Sequence, residues 1–301
     1  MSRWRVACHT QSTLSVEAFG RQHLEPSIPV VLKGLAQGWP ALSQWGRPDY
    51  LYSVCGAERV VLCERNERGR LFSYGSEDAS VTLPLREVLS TYRAGGPAAE
   101  RLYMAQTPID ELQPRLREDI LVPPHCNVTT PADWSKPASL LAAMLPVRPP
   151  PDVYLWLGHT TSVSPLHFDT KHNLLTQIVG HKRVCLFAPE CSSALYAPHG
   201  GSSNQSQLGS IGLTDLRIDA ADDDENGDVA NLTPSAMLAS VRDTFPRFVS
   251  EALPKMVVCE LGPGDALYIP SGWWHHVQAI ATPLDAKSSD GYVLSVNFWW
   301  V

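Results

Sequence analysis

"PLHFDTKHN", residues 165–173, sets a histidine and an aspartate two positions apart, His167 and Asp169, with Phe168 between them. On a β-strand successive side chains point to opposite faces. His167 and Asp169 therefore share a face, and Phe168 takes the other. The pair suits a metal ion, but an H-x-D is equally the polar face of an ordinary strand. Two ligands make a weak site. A metal centre requires a third ligand from elsewhere in the chain and something for the metal to act on.

The third ligand comes from "YIPSGWWHHVQAI", residues 268–280. A strand, a Pro-Ser-Gly turn and two tryptophans deliver His275 and His276. On a regular strand these two histidines face opposite sides, so only one reaches a metal shared with H-x-D. Two histidines and one carboxylate on one side of a metal leave positions open for a bidentate co-substrate and O₂, the arrangement of non-haem Fe(II) oxygenases. A histidine after a tryptophan pair is otherwise a packed core residue. The H-x-D is expected at the start of one strand, with a histidine near the start of another about a hundred residues later.

Three further residues bear on what the metal would act on. Lys182 opens a β-run after the turn in "NLLTQIVGHKR". Inside a barrel an ammonium needs a carboxylate partner, because an unpaired buried charge is costly. A dicarboxylic co-substrate would supply that partner. The other reading of Lys182 is an exposed turn lysine beside Arg183. Ser164 and Tyr103 offer hydroxyl donors.

Composition narrows the class. The chain has 301 residues, 25 of them proline and 9 tryptophan, which favours a turn-rich β-fold over a helical bundle. The net charge of −7 argues against a protein that lives by binding nucleic acid. Seven scattered cysteines, Cys8, Cys55, Cys63, Cys126, Cys185, Cys191 and Cys259, contain no C-x-x-C, so neither a zinc ribbon nor a disulfide framework is expected. The opening "MSRWRVACHT" has no apolar run of signal-peptide type, and no stretch approaches a membrane span. The expected setting is intracellular, nuclear and/or cytoplasmic, with the sequons at Asn127, Asn204 and Asn231 unmodified.

Along the chain, residues 1–145 read as a mixed α/β region. It has strands at 29–34, 58–64 and 101–106 and a proline-started helix at 84–93. The proline-rich stretch 146–151 is the expected boundary. From 146 to 301 the pattern becomes short β-prone runs at 153–158, 173–180, 182–189, 255–261, 265–270, 275–280 and 292–300, separated by turn signals such as "GPGD". Short strands in one domain predict a sandwich or barrel, with a jelly roll as one form. Residues 202–253 interrupt the rhythm as an insertion. It carries an acidic run with Asp222, Asp223, Asp224, Glu225 and Asp228, and a helix predicted over 233–249.

The stretches "SPLHFDTKHNLLTQIVGHKRVCLF", "GPGDALYIPSGWWHHV" and "SVNFWW" resemble the JmjC family of Fe(II)- and 2-oxoglutarate-dependent oxygenases. Upstream, "PVVLKGLAQGWPALSQW" and "RLYMAQTPIDELQPRLREDILVP" resemble the N-terminal part of the small JmjC hydroxylases. The likeness covers most of the chain outside the insertion. Within the family it is strongest to the arginyl-hydroxylase branch, through "SPLH" and "YMAQ". The factor-inhibiting-HIF asparaginyl hydroxylase and the tRNA wybutosine hydroxylase follow. The resemblance implies a mainly β fold, a double-stranded β-helix of cupin-like jelly-roll type with helices packed outside. It implies iron bound by His167, Asp169 and His275, the last chosen because it directly follows the tryptophan. Lys182 would pair with the distal carboxylate of 2-oxoglutarate, Tyr103 and Ser164 would hydrogen-bond it, and Asn173 and Asn297 would line the pocket. Ser164 stands where many relatives have threonine, which keeps the hydroxyl. The implied reaction converts 2-oxoglutarate and O₂ to succinate and CO₂ while hydroxylating a substrate.

Four functions compete. A protein hydroxylase acting on a basic polypeptide, with arginine as the first target and lysine the second, is the leading expectation. N-methyl-lysine demethylation uses the same chemistry, although many larger demethylases carry chromatin-reading and zinc modules with no counterpart here. A tRNA-base hydroxylase conflicts with the acidic balance. A metal-binding scaffold without turnover has no need of Lys182, Tyr103 and Ser164 together.

Overall fold

The computed structural model describes residues 5–10, 13–66, 80–128, 150–198, 204–210, 213, 235–280 and 291–301. The acidic run at 222–228 and most of the expected boundary at 146–151 lie outside the described residues. Thirteen strands follow in chain order: β1 (Ala7–Thr10), β2 (Val30–Lys33), β3 (Val60–Arg65), β4 (Ser80–Pro84), β5 (Leu102–Pro108), β6 (Asp152–His159), β7 (Val163–Phe168), β8 (His172–Val179), β9 (His181–Phe187), β10 (Val257–Leu261), β11 (Ala266–Ile269), β12 (Trp274–Ile280) and β13 (Tyr292–Trp300).

β6 to β13 are shared between two facing sheets. The major sheet contains β11-β8-β13-β6 and the minor sheet is β10-β9-β12-β7. Four strands in each sheet make the jelly roll of a cupin-like barrel, mainly β with helices outside. The N-terminal strands extend the major sheet at both ends, as β1-β2 beside β11 and as β5-β3-β4 beside β6. β1 to β5 thus add to the same sheet as the barrel.

The alternation along each strand decides what goes where. Leu174, Ile178, Val296 and Phe298 point out of the major sheet and pack under the N-terminal helices. The helix Leu85–Ala94 shows why: Leu85, Val88, Leu89 and Tyr92 form one apolar stripe at helical spacing, all buried. On the minor sheet the outward residues Cys185, Phe187 and Trp274 are covered by Leu195, Leu208, Phe248 and Leu253. The inner faces meet through Leu175, Leu267, Ile269, Val184, Leu186 and Leu261.

Most expected strands are present within a residue or two of their predicted bounds. The helix predicted over 233–249 is a helix at Ser235–Thr244 followed by a π-helical turn at Phe248–Ala252. The H-x-D differs from expectation. His167 is near the end of β7 rather than its start, and Asp169 lies just beyond the strand. The sequence masked this because Pro165 interrupts the β-run of β7.

Candidate active site

The minor sheet builds the metal-ligating group from two neighbouring strands. β12 and β7 are antiparallel, with His275 directly opposite His167. The pairing shifts by one between His275 and Val277, so Pro165 and Leu166 of β7 face the single residue His276. This is a β-bulge on β7. Pro165 has no N–H to give to a ladder, which makes a bulge its natural place in a sheet. Its carbonyl oxygen lies 2.7 Å from His167 Nδ1. A carbonyl only accepts, so Nδ1 carries the proton and Nε2 remains as the ligand atom. His275 is fixed the same way, with Nδ1 3.0 Å from the Trp273 carbonyl oxygen.

Asp169 is held by backbone contacts on the other side of the site. The Gly272 N–H donates to its carbonyl at 2.8 Å, and Ser271 Oγ donates to the Thr170 carbonyl at 3.0 Å. The Pro-Ser-Gly turn thus ties the H-x-D corner to the strand that carries His275. The ligand atoms of His167, Asp169 and His275 all lie within 4.8 Å of one another. His275 Nε2 is 3.6 Å from Asp169 Oδ2. Burial drives His167 well below its usual pKa, helped by the neighbouring His275. Burial also raises Asp169, against the attraction of His275. Both groups are pushed towards neutrality, as expected of a ligand set whose compensating charge comes from outside the chain.

His276 points the other way. It pairs with Cys185 on β9, lies on the outward face, and has a buried Nε2 without a hydrogen-bond partner among the described residues. Burial pushes its pKa down to about 4. The structure therefore brings His275, and not His276, to His167 and Asp169.

The major sheet and β9 supply the rest of a cavity of about 240 Å³. Gly180, with φ of +72°, turns the chain from β8 to β9 and from one sheet to the other. A Cβ there would lie 2.5 Å from Val293 Cγ1. Past this corner Lys182 points inward. It is 4 % exposed, which rules out the exposed-turn reading. Its Nζ donates to Ser295 Oγ at 2.6 Å. Burial lowers its pKa to about 7, with no carboxylate among the causes to oppose the shift.

Tyr103 and Ser164 are buried and hydrogen-bonded to each other. The Tyr103 ring lies over Gly158, where a Cβ would be 2.6 Å from Tyr103 Cδ2. Asn173 and Asn297 line the same cavity, and each has a buried side-chain oxygen without a partner among the described residues. All eight expected site residues therefore line one cavity.

Several lining residues were not anticipated. Trp156 and Trp299 form an aromatic wall, and Asn204 joins from the insertion, where its Nδ2 donates to the Phe168 carbonyl. Gln106 sits in a bulge of β5 with φ of +43°, a conformation no glutamine advertises in sequence. Glu64 lies opposite Tyr103 on β3, and burial raises it to about 7. Trp156 had a readable signal: in "VYLWLG" it falls on the same face as Gly158.

A mainly β jelly roll that brings two histidines and an aspartate together is a candidate metal site, and the chain belongs to the cupin-like domain family, whose model matches residues 16–301. Its relatives include proteins named for the JmjC domain and for lysine demethylation. It is 31 % identical to a Jumonji C domain-containing protein 5 of Drosophila melanogaster, over 95 % of this chain and 58 % of that one. It is 30 % identical to lysine-specific demethylase JMJ30 of Arabidopsis thaliana, over 96 % of this chain and 54 % of that one. A lysine-specific demethylase 8 of Danio rerio is 28 % identical, over 95 % of this chain and 56 % of that one. The chain thus spans between half and three fifths of the length of these relatives.

The residues present fit both Fe(II) and 2-oxoglutarate. Two imidazole nitrogens and one carboxylate suit Fe(II). A buried lysine without an anionic partner among its described neighbours, beside a serine and a tyrosine hydroxyl, suits the far carboxylate of 2-oxoglutarate. Among the described residues no helix is long and apolar enough to cross a membrane, and all seven cysteines are free.

Proposed function

We propose that this chain is an Fe(II)- and 2-oxoglutarate-dependent oxygenase that removes methyl groups from N-methyl-lysine in a basic polypeptide. The observation that carries the oxygenase reading is the meeting of three metal-ligating atoms and an uncompensated buried lysine in one cavity. The demethylase assignment is supported by the relatives named lysine-specific demethylases. It takes precedence here over the arginine hydroxylation that the sequence elements suggest.

Iron, when bound, supplies the activation of O₂ that converts 2-oxoglutarate to succinate and CO₂ and hydroxylates a C–H bond. The chain's own residues do the positioning. His167, Asp169 and His275 hold the metal, each imidazole fixed through its second nitrogen. Lys182 holds the distal carboxylate with Tyr103 and Ser164. The side-chain oxygens of Asn173 and Asn297 are acceptors for polar hydrogens of whatever enters. Trp156 and Trp299 give the cavity an aromatic lining, of the kind that attracts a cation over a ring face. Hydroxylation of an N-methyl carbon gives a hemiaminal, which loses formaldehyde without further help from the protein.

The net charge of −7 attracts basic partners and disfavours nucleic acid and acidic ones. Residues 1–145 serve as a flank that supports the core at 146–301, in line with the shared major sheet. Seven free cysteines support action inside the cell, in nucleus or cytoplasm.

A second reading is hydroxylation of an unmethylated side chain, arginine first. It is favoured by the amide acceptors of Asn173 and Asn297, which suit guanidinium N–H groups. A peptide pool incubated with Fe(II), ascorbate and 2-oxoglutarate and read by mass spectrometry tests both. Loss of a methyl group with formaldehyde release is the expected result. A retained oxygen establishes the second reading, and no peptide-dependent succinate refutes both.

A further inference from the structure

β3 alternates in the ordinary way, but the wrong face is apolar for a strand this near a sheet edge. Val61 and Cys63 are buried in the core. Val60 and Leu62, on the opposite face, are 61 % and 59 % exposed. Sheets usually present polar residues to solvent there.

Register shows where this row leads. Glu64 continues it and sits directly across from Tyr103 on β5, so the row shares a face with a residue that lines the cavity. β3 and β5 are antiparallel. Moving from Glu64 back to Leu62 and Val60 therefore runs in the direction in which β5 proceeds from Tyr103 to Gln106, another lining residue. On the far side Leu62 faces Thr82 and Val60 faces Pro84 of β4. Neither neighbour is long enough to cover the row. The result is a shallow apolar track beginning beside the cavity.

We propose that this track docks the polypeptide segment flanking the residue to be oxidised, in extended form, through an apolar side chain a few positions from the target. The proposal rests on the oxygenase reading above. Alternate side chains of an extended chain are about 7 Å apart on one face, the spacing of Val60 and Leu62 themselves. A second copy of this chain is a poorer occupant, because a stable dimer buries roughly 800 Å² per partner and two side chains offer a small fraction of that. Two aliphatic groups on an acidic chain offer nothing to a phosphate backbone.

The test uses short fluorescent peptides with a central arginine, lysine or N-methyl-lysine and either leucine or serine at each flanking position. Binding is read by anisotropy for the parent and for V60S/L62S. Both positions are mostly exposed, so the variant should fold, and its thermal midpoint checks this. Leucine at one flank should tighten binding to the parent about ten-fold, equal to about 1.4 kcal/mol. V60S/L62S should lose that preference while keeping its affinity for the serine peptides and for 2-oxoglutarate. A parent without the preference, a variant that retains it, or a parent that binds no peptide overturns the proposal. Succinate formed from 2-oxoglutarate without peptide is measured alongside. Succinate without flank preference leaves the oxygenase reading standing and removes the track. Flank preference without succinate does the reverse.

Discussion

His275 and His276 are consecutive, both buried and both on β12, yet they belong to different worlds. His275 faces inward, where Lys182, Tyr103, Asn173 and Asn297 make a polar cavity with acceptors left open. His276 faces outward, among Cys185, Phe187 and Trp274 under the helical cover. One position of register separates a candidate metal ligand from a core histidine. The inner face is polar and incompletely satisfied, as befits a site completed by something bound. The outer face is apolar and closed, and His276 is its exception.

The comparison is most sharply tested at the ligands. His167→Ala, Asp169→Ala and His275→Ala should each abolish turnover and cut metal affinity by at least about 100-fold, with the fold kept. Metal titration and circular dichroism read both. Retained activity in any of the three would remove the triad from the mechanism.

Next in size is the inner-face lysine. Lys182→Ala should raise the KM for 2-oxoglutarate by roughly one to two orders of magnitude, from a charge-assisted hydrogen bond of about 1.5–3 kcal/mol, with metal affinity unchanged. The pH dependence has a definite sign. Lys182 alone loses its proton near pH 7, and a bound carboxylate holds that proton on. Binding of 2-oxoglutarate should therefore be tightest below pH 7 and weaken by up to about ten-fold per unit above it. Calorimetry in two buffers of different ionisation enthalpy should register proton uptake at pH 8. No uptake would mean that Lys182 does not meet the carboxylate.

A smaller effect is expected at Gly158. A methyl group there must displace both the Tyr103 ring and Ser162 Oγ. Gly158→Ala should raise the KM for 2-oxoglutarate several-fold and cost about 1–3 kcal/mol of stability, in the range of overpacking changes. Urea midpoints and kinetics measure the two parts separately.

The least effect on turnover belongs to His276. His276→Leu should leave kcat within a few-fold of the parent while changing the pH profile of stability. The folded pKa of His276 is about 4, below the 6.5 of a free histidine. Its contribution is intact above pH 6.5 and is lost as pH falls through the window down to 4, by about 3 kcal/mol in all. The variant should lack that slope. Should His276→Leu be inactive and His275→Leu active, the faces have been assigned the wrong way round.

Much of this division was legible in the sequence. The i, i+2 spacing of His167 and Asp169 put both on one face, and strict alternation separated His275 from His276. The strands of the barrel announced themselves by β-prone runs between turns. Lys182 was ambiguous, because local pattern cannot show whether a lysine after a turn enters a barrel. Gly180 decided it by turning the chain from one sheet to the other. The position of the H-x-D at a strand end was misjudged, since Pro165 reads as a break and is in fact the site of a bulge. Gln106 and Glu64 were invisible for a different reason. Gln106 at the cavity and Glu64 opposite Tyr103 are placed by strand pairing between distant segments, which leaves no local signature.

That distant pairing also sets the order in which the molecule can be made. β2 lies between β1 and β11, and Lys33 meets Asp265 at 2.7 Å across 232 residues of chain. During synthesis the N-terminal strands emerge long before the strand that completes their sheet. They must wait with an open edge until β11 arrives, a non-local closure of the kind that slows folding. Assembly of the barrel is therefore bound to be a late event, and shielding of that edge by a chaperone should raise the yield of folded chains more than it raises the rate of any local step.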